Sequence, residues 1–195
     1  MSKSENVIAK IQNTIPNITD FIQVEKRSDF EIMDYKGQSY IIDKIIGQTT
    51  CELSNDISLS VDYDKNKSFV IANSKGINFI PIDGKDGLFS YGDSFCDCVF
   101  FDENDFCFVE FKFNAESLEI RAIRKNRKKG IIQLGNTIDE FDEIVDYDFE
   151  GLNLEAYIST PITYPRESDG FEDLRVQFFD DYEVELFERT KKICR

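Results

Sequence analysis

The chain has 195 residues, with 23 Lys and Arg against 38 Asp and Glu, a formal charge of −15, and no His. Without imidazole, Ser-His-Asp triads, Cys-His pairs and His-ligated zinc are excluded, so any chemistry must run on carboxylates, Lys, Tyr or Cys. The hydrophobic fraction of 41% and the 18 Phe supply enough apolar surface for one folded domain.

Residues 5–14 carry Val7, Ile8 and Ile11 at helical spacing, and Pro16 ends that pattern. From Phe30 the pattern becomes β-rich. Segments 30–35 and 39–46 flank a Lys36-Gly37-Gln38 turn and predict a hairpin, with further strands over 57–63, 68–72 and 77–82. Two strongly apolar runs, 95–101 and 106–113, are joined by Asp102-Glu103-Asn104-Asp105, which predicts an antiparallel hairpin. Ile131, Leu134, Ile138, Phe141 and Val145 place a helix within 115–145, where Gly130 suggests a kink. The remainder reads as a strand at 153–159, a Pro-containing loop at 160–165, a helix at 170–181 and a strand at 183–188. The expected class is mixed α and β in a single domain, with a helix and β-rich part over 1–90 and an α/β core over 91–195.

No run approaches the roughly 20 apolar residues of a membrane span, and the first residues lack the apolar stretch of a secretory signal. Cys51, Cys96, Cys98, Cys107 and Cys194 form no regular framework, which suits reduced thiols and a cytoplasmic location. Cys96 and Cys98 are too close in sequence for a zinc ligand pair and read as small core residues.

The candidate chemistry lies in the central hairpin. If Phe101 pairs with Phe106, Asp97 falls opposite Glu110, and Lys112 shares the face of Glu110. Two such carboxylates among Phe and Val repel by about 3 kcal/mol at 5 Å and an effective dielectric near 20. A fold tolerates this if one acid stays protonated, if Lys112 neutralises one, or if a divalent cation bridges both. Hard oxygen ligands favour Mg²⁺ or Mn²⁺. Tyr91 and Asp93 precede the strand and could line the mouth of such a site.

Asp97, then Glu110-Phe111-Lys112 on the next strand, then a helix bearing Gln133, resembles the PD-(D/E)XK nuclease superfamily over about residues 90–190. The resemblance implies a mixed sheet flanked by helices. It also implies metal-binding acids at Asp97 and Glu110, a catalytic Lys112 and a helix glutamine at Gln133 that positions Lys112 or a phosphate. Cys96 stands where the motif has its Pro, and for the acid that many members carry on a preceding helix Glu5, Glu25 and Glu31 are the candidates. The implied activity is Mg²⁺- or Mn²⁺-dependent hydrolysis of nucleic acid, DNA ahead of RNA.

Arg121, Arg124, Lys125, Arg127, Lys128 and Lys129 concentrate six positive charges in nine residues of this acidic chain. They form a candidate phosphate-binding patch, or else a solvated helix face paired with Glu116 or Glu119. The net charge supports a reading of another class, an acidic non-catalytic protein that binds a basic protein partner through segments such as 139–148.

Overall fold

A computed structural model describes residues 1–54, 60–89, 94–115, 117–162, 164 and 170–195. Helix α1 spans Lys3–Thr14. It is followed by β1 (Gln23–Glu25), β2 (Phe30–Tyr35), β3 (Gln38–Ile46), β4 (Thr50–Leu53), β5 (Ser60–Asp62), β6 (Phe69–Ala72) and β7 (Ile77–Pro81). The central hairpin is β8 (Cys98–Phe101) and β9 (Asp105–Phe111), and α2 spans Ile120–Ile144. The chain continues through β10 (Asn153–Ser159), α3 (Phe171–Tyr182), β11 (Glu185–Phe187) and β12 (Lys191–Ile193). Of the expected strand at 57–63, residues 57–59 lie outside the described residues, as do Tyr91, Asp93, Glu116 and residues 163 and 165 of the 160–165 loop.

The class is mixed α and β, built on two mixed six-stranded sheets. The first has the order β1-β7-β8-β9-β10-β11, antiparallel as far as β9 and parallel beyond it. The second has the order β12-β6-β2-β3-β4-β5. Its β2–β3 hairpin turns through Lys36 (φ 55°) and Gly37 (φ 76°), the left-handed pair that a two-residue hairpin turn needs. A bulge between Ile42 and Lys44 shifts the register of β3 against β4.

The three helices pack on one face of the first sheet and the second sheet packs on the other. Val7 and Ile11 of α1, Leu134, Ile138 and Phe141 of α2, and Phe171 and Phe178 of α3 join Phe106 and Phe108 in the helix-side core. On the far side Phe79, Phe100, Cys107 and Val109 meet Phe30, Ile32, Phe69 and Ile71. Both faces of β8 and β9 are therefore covered, and every residue of the two strands is buried. This accounts for their unbroken apolar runs, each fully buried Phe contributing about 1.5–3 kcal/mol.

Position 90 does not divide the chain into the two expected parts. Strands β1 and β7 belong to the first sheet, and the final strand β12 returns to pair in parallel with β6 in the second. Lys192 of β12 reaches Asp105 at 2.7 Å and Glu155 at 2.6 Å, and the Tyr157 hydroxyl donates to the same Glu155 carboxylate at 2.5 Å. This buried ionic cluster ties the end of the chain to the central sheet.

Helix α1 begins earlier than its apolar periodicity predicts, because Ser2 and Glu5 form a capping box. Helix α2 runs 25 residues through Gly130 without a break. Its glycines serve close approach instead. A Cβ on Gly130 would lie 3.3 Å from Ile158 and 3.6 Å from Glu110 Cγ, and one on Gly135 would press on the Tyr182 hydroxyl. Gly130 thus lowers α2 onto the one acidic position of β9 that faces it.

Candidate active site

Along β9, Phe106 and Phe108 face the helices while Cys107, Val109 and Phe111 face the second sheet. Glu110 has the parity of the two phenylalanines and is 2% exposed beneath α2. A carboxylate occupies a position that packing alone would give to Phe.

The hairpin register is the expected one from Phe101↔Phe106 to Cys98↔Val109. Asp97 departs from it. Its backbone N–H donates to the Val109 carbonyl at 3.0 Å, and its carboxylate accepts the Phe111 N–H at 2.5 Å. Asp97 therefore grips the chain on both sides of Glu110 rather than standing opposite it in a regular ladder. The same departure places Cys96 in the helix-side core, not on the opposite face as strand alternation predicts. Asp97 is near enough for its charge to act on Glu110, and Glu110 Oε2 is buried with no hydrogen-bond partner.

Lys112 lies just past the end of β9, where its N–H donates to the Ser159 carbonyl at 2.7 Å. Its ammonium pairs with Glu110 Oε1 and donates to Gln133 Oε1 at 2.7 Å. Gln133 is held in turn, its amide donating to the Phe95 carbonyl at 3.0 Å. One turn along α2, Thr137 accepts the Cys96 N–H at 2.8 Å and donates to the Gln133 carbonyl at 2.8 Å. Helix α2 thereby fixes both Lys112 and the segment that delivers Asp97. Thr137, four residues from Gln133, is the positioning group that residue-by-residue reading missed, and helical spacing was its available signal.

Burial pushes Glu110 well above the usual carboxylate range, and the Asp97 charge adds to this against the opposing pull of Lys112. Burial likewise pushes Asp97 up to about 7, partly offset by the Phe111 N–H and raised further by Asp34. Asp34, at the tip of the β2–β3 hairpin, is itself pushed up by burial. The next strand touches the site directly, since the Ser39 hydroxyl donates to the Asp97 carbonyl at 3.2 Å. The second sheet thus supplies a wall of the site that the resemblance did not include.

Glu5 is used in the α1 cap, Glu25 pairs with Arg27, and Glu31 accepts from Tyr63 and Ser68. Among the described residues no group of three or more Cys, Asp or Glu forms a metal-holding cluster. Cys98 and Cys107 are fully buried thiols pushed well above their ordinary range by burial, which removes them as nucleophiles.

The basic run divides in two. Arg127 is 2% exposed and pairs with Glu188 through Nε at 2.9 Å and an Nη at 2.6 Å, with its guanidinium over Phe171. It is a core ion pair and drops out of the expected phosphate-binding set. Arg121, Arg124, Lys125, Lys128 and Lys129 are exposed. Arg121, Lys125 and Lys129 stand twelve, eight and four residues before Gln133, on the i−4 row of α2 that leads to the site, whereas Arg124 and Lys128 lie on another row.

No protein-family model, curated protein or solved structure matches the chain. No helix among the described residues is long and apolar enough to cross a membrane.

Proposed function

We propose that the chain is a divalent-metal-dependent phosphodiester hydrolase acting on nucleic acid, of the PD-(D/E)XK kind. The observation that carries this reading is the buried, unpartnered Glu110 Oε2 beside Asp97, with Lys112 bonded to both Glu110 and Gln133. A buried oxygen without a partner costs about 1–3 kcal/mol, more when charged, and a fold retains one where a ligand satisfies it. The donor set fits Mg²⁺ or Mn²⁺, which bind through one or two carboxylates and take their other oxygens from water and substrate phosphate. Asp97 and Glu110 would hold the ion, which when bound would polarise the scissile phosphate.

The chain's own residues supply the rest. Lys112 spends two of its three N–H donors on Glu110 and Gln133, leaving one for a phosphate oxygen or the attacking water. Anchoring through Gln133 to Phe95 holds that ammonium still, so it stabilises developing negative charge without reorganising. Lys125 and Lys129 would meet the backbone of the polymer as it approaches. The five free, buried cysteines suit a reducing cytoplasm.

The test is cleavage of single- and double-stranded DNA and RNA in Mn²⁺, Mg²⁺ and EDTA. Metal-dependent cleavage lost in Glu110→Gln supports the reading. No cleavage of any of the polymers, or cleavage that persists in EDTA, overturns it.

A further inference from the structure

The surface beside α3 shares no lining residue with the Asp97–Glu110 site and has a different character. Strand β11 is the edge of the first sheet, paired with β10 alone among the described residues. Beside it runs a groove of about 300 Å³ whose apolar lining is Val176, Phe179, Leu186 and Phe187 and whose one cation, Arg175, is paired with Glu172. Val176 and Phe179 lie three residues apart on α3 and are 54% and 49% exposed. An apolar strip along an open strand edge is the arrangement by which a sheet accepts an added strand, main-chain bonds giving affinity and the groove seating alternate side chains.

The charge around the groove defines what would lie in it. Asp180 and Glu185 border it and are shared with a cleft of about 710 Å³. Asp139, Asp142, Asp181 and Glu183 add to that cleft, against a single Arg195. A strand laid along β11 passes from apolar walls to concentrated negative charge within a few residues. Acidic segments are repelled there, neutral ones gain nothing from the charge, and a segment that alternates Lys or Arg with β-branched residues satisfies both surfaces.

We propose that the α3–β11 groove docks an extended basic segment of a partner protein, added as a strand to the β11 edge. The surface is independent of the Asp97–Glu110 site, so the two readings fail separately. The test uses an octapeptide of alternating Lys and Val, titrated calorimetrically at low and high salt, with amide exchange followed on the complex. The expected result is saturable binding that weakens with salt and slows exchange at those β11 amides that face away from β10. An octa-lysine peptide carries twice the charge but no apolar side chains, and should bind at least tenfold more weakly. Phe179→Ser should weaken binding at least tenfold with the melting temperature preserved, since Phe179 is half-exposed, and Asp180→Lys with Glu185→Lys should abolish it. Equal affinity for octa-lysine, or none lost in Phe179→Ser, would reduce the effect to general attraction to an acidic surface and overturn the proposal. A dimer of the protein alone that Phe179→Ser dissociates would also overturn it, by making a second copy the occupant.

Discussion

Replacing Asp97 by Asn should stabilise the metal-free protein, and only above the pH at which Asp97 ionises in the unfolded chain. The side chain sits at the end of β8 with its carboxyl pushed from 3.8 up to about 7, chiefly by burial. A carboxyl raised in the folded state binds its proton more tightly there than in the unfolded chain. Its unfavourable contribution therefore grows as pH rises from about 4 to about 7 and is complete above 7. At 1.36 kcal/mol for each tenfold change, the full shift corresponds to about 4 kcal/mol. Asp97 keeps some contact with solvent, which brings the expected gain to about 1–3 kcal/mol at pH 8. Asn keeps an oxygen to accept the Phe111 N–H, so the grip on β9 survives the exchange. Thermal melts in EDTA should place the variant roughly 3–10 °C above wild type at pH 8. The advantage should shrink steadily toward pH 4. Millimolar Mg²⁺ should raise the wild type and leave the variant unmoved. A variant less stable than wild type at pH 8, or one stabilised equally at pH 4.5 and pH 8, would refute the reasoning and make Asp97 an ordinary structural acid.

Lys112→Ala should lower single-turnover cleavage by at least 100-fold while leaving the affinity for the polymer within about threefold, because its free donor serves the transition state. Arg127→Met should cost about 3–5 kcal/mol in urea unfolding by leaving Glu188 buried and unpaired, and the added Glu188→Leu should restore much of it. The same Arg127 change should leave the salt dependence of nucleic-acid binding as it was. Lys125→Ala with Lys129→Ala should flatten that dependence by about two units of slope in filter binding, and Arg124→Ala with Lys128→Ala by less.

The hairpin and its register were legible because strand alternation is local, and the pairing of Lys112 with Gln133 was one of the two roles that the resemblance implied for that glutamine. Phe101↔Phe106 sets the register through the turn, and Gln133 lies on the buried side of an amphipathic helix. What local spacing could not reveal comes from contacts distant in sequence. Burial of both sheet faces, the return of β12 to β6 and the wall provided by Ser39 are of this kind. Arg127 reads as one more cation in a basic run until Glu188, 61 residues on, is placed against it. Gly130 reads as a helix breaker until Ile158 and Glu110 are brought beneath it. The irregular hold of Asp97 on Val109 and Phe111 depends on a single displaced backbone hydrogen bond, which residue type does not encode.

The measurement that bears most directly on the site is an electron paramagnetic resonance titration of Mn²⁺ into the wild-type protein, Asp97→Asn and Glu110→Gln at pH 8. The account predicts a Mn²⁺ ion bound by the wild type and released in both variants, each of which remains folded. Wild-type protein that leaves all the Mn²⁺ free in the presence of substrate DNA and RNA, or Glu110→Gln protein that retains the ion with unchanged affinity, would contradict it.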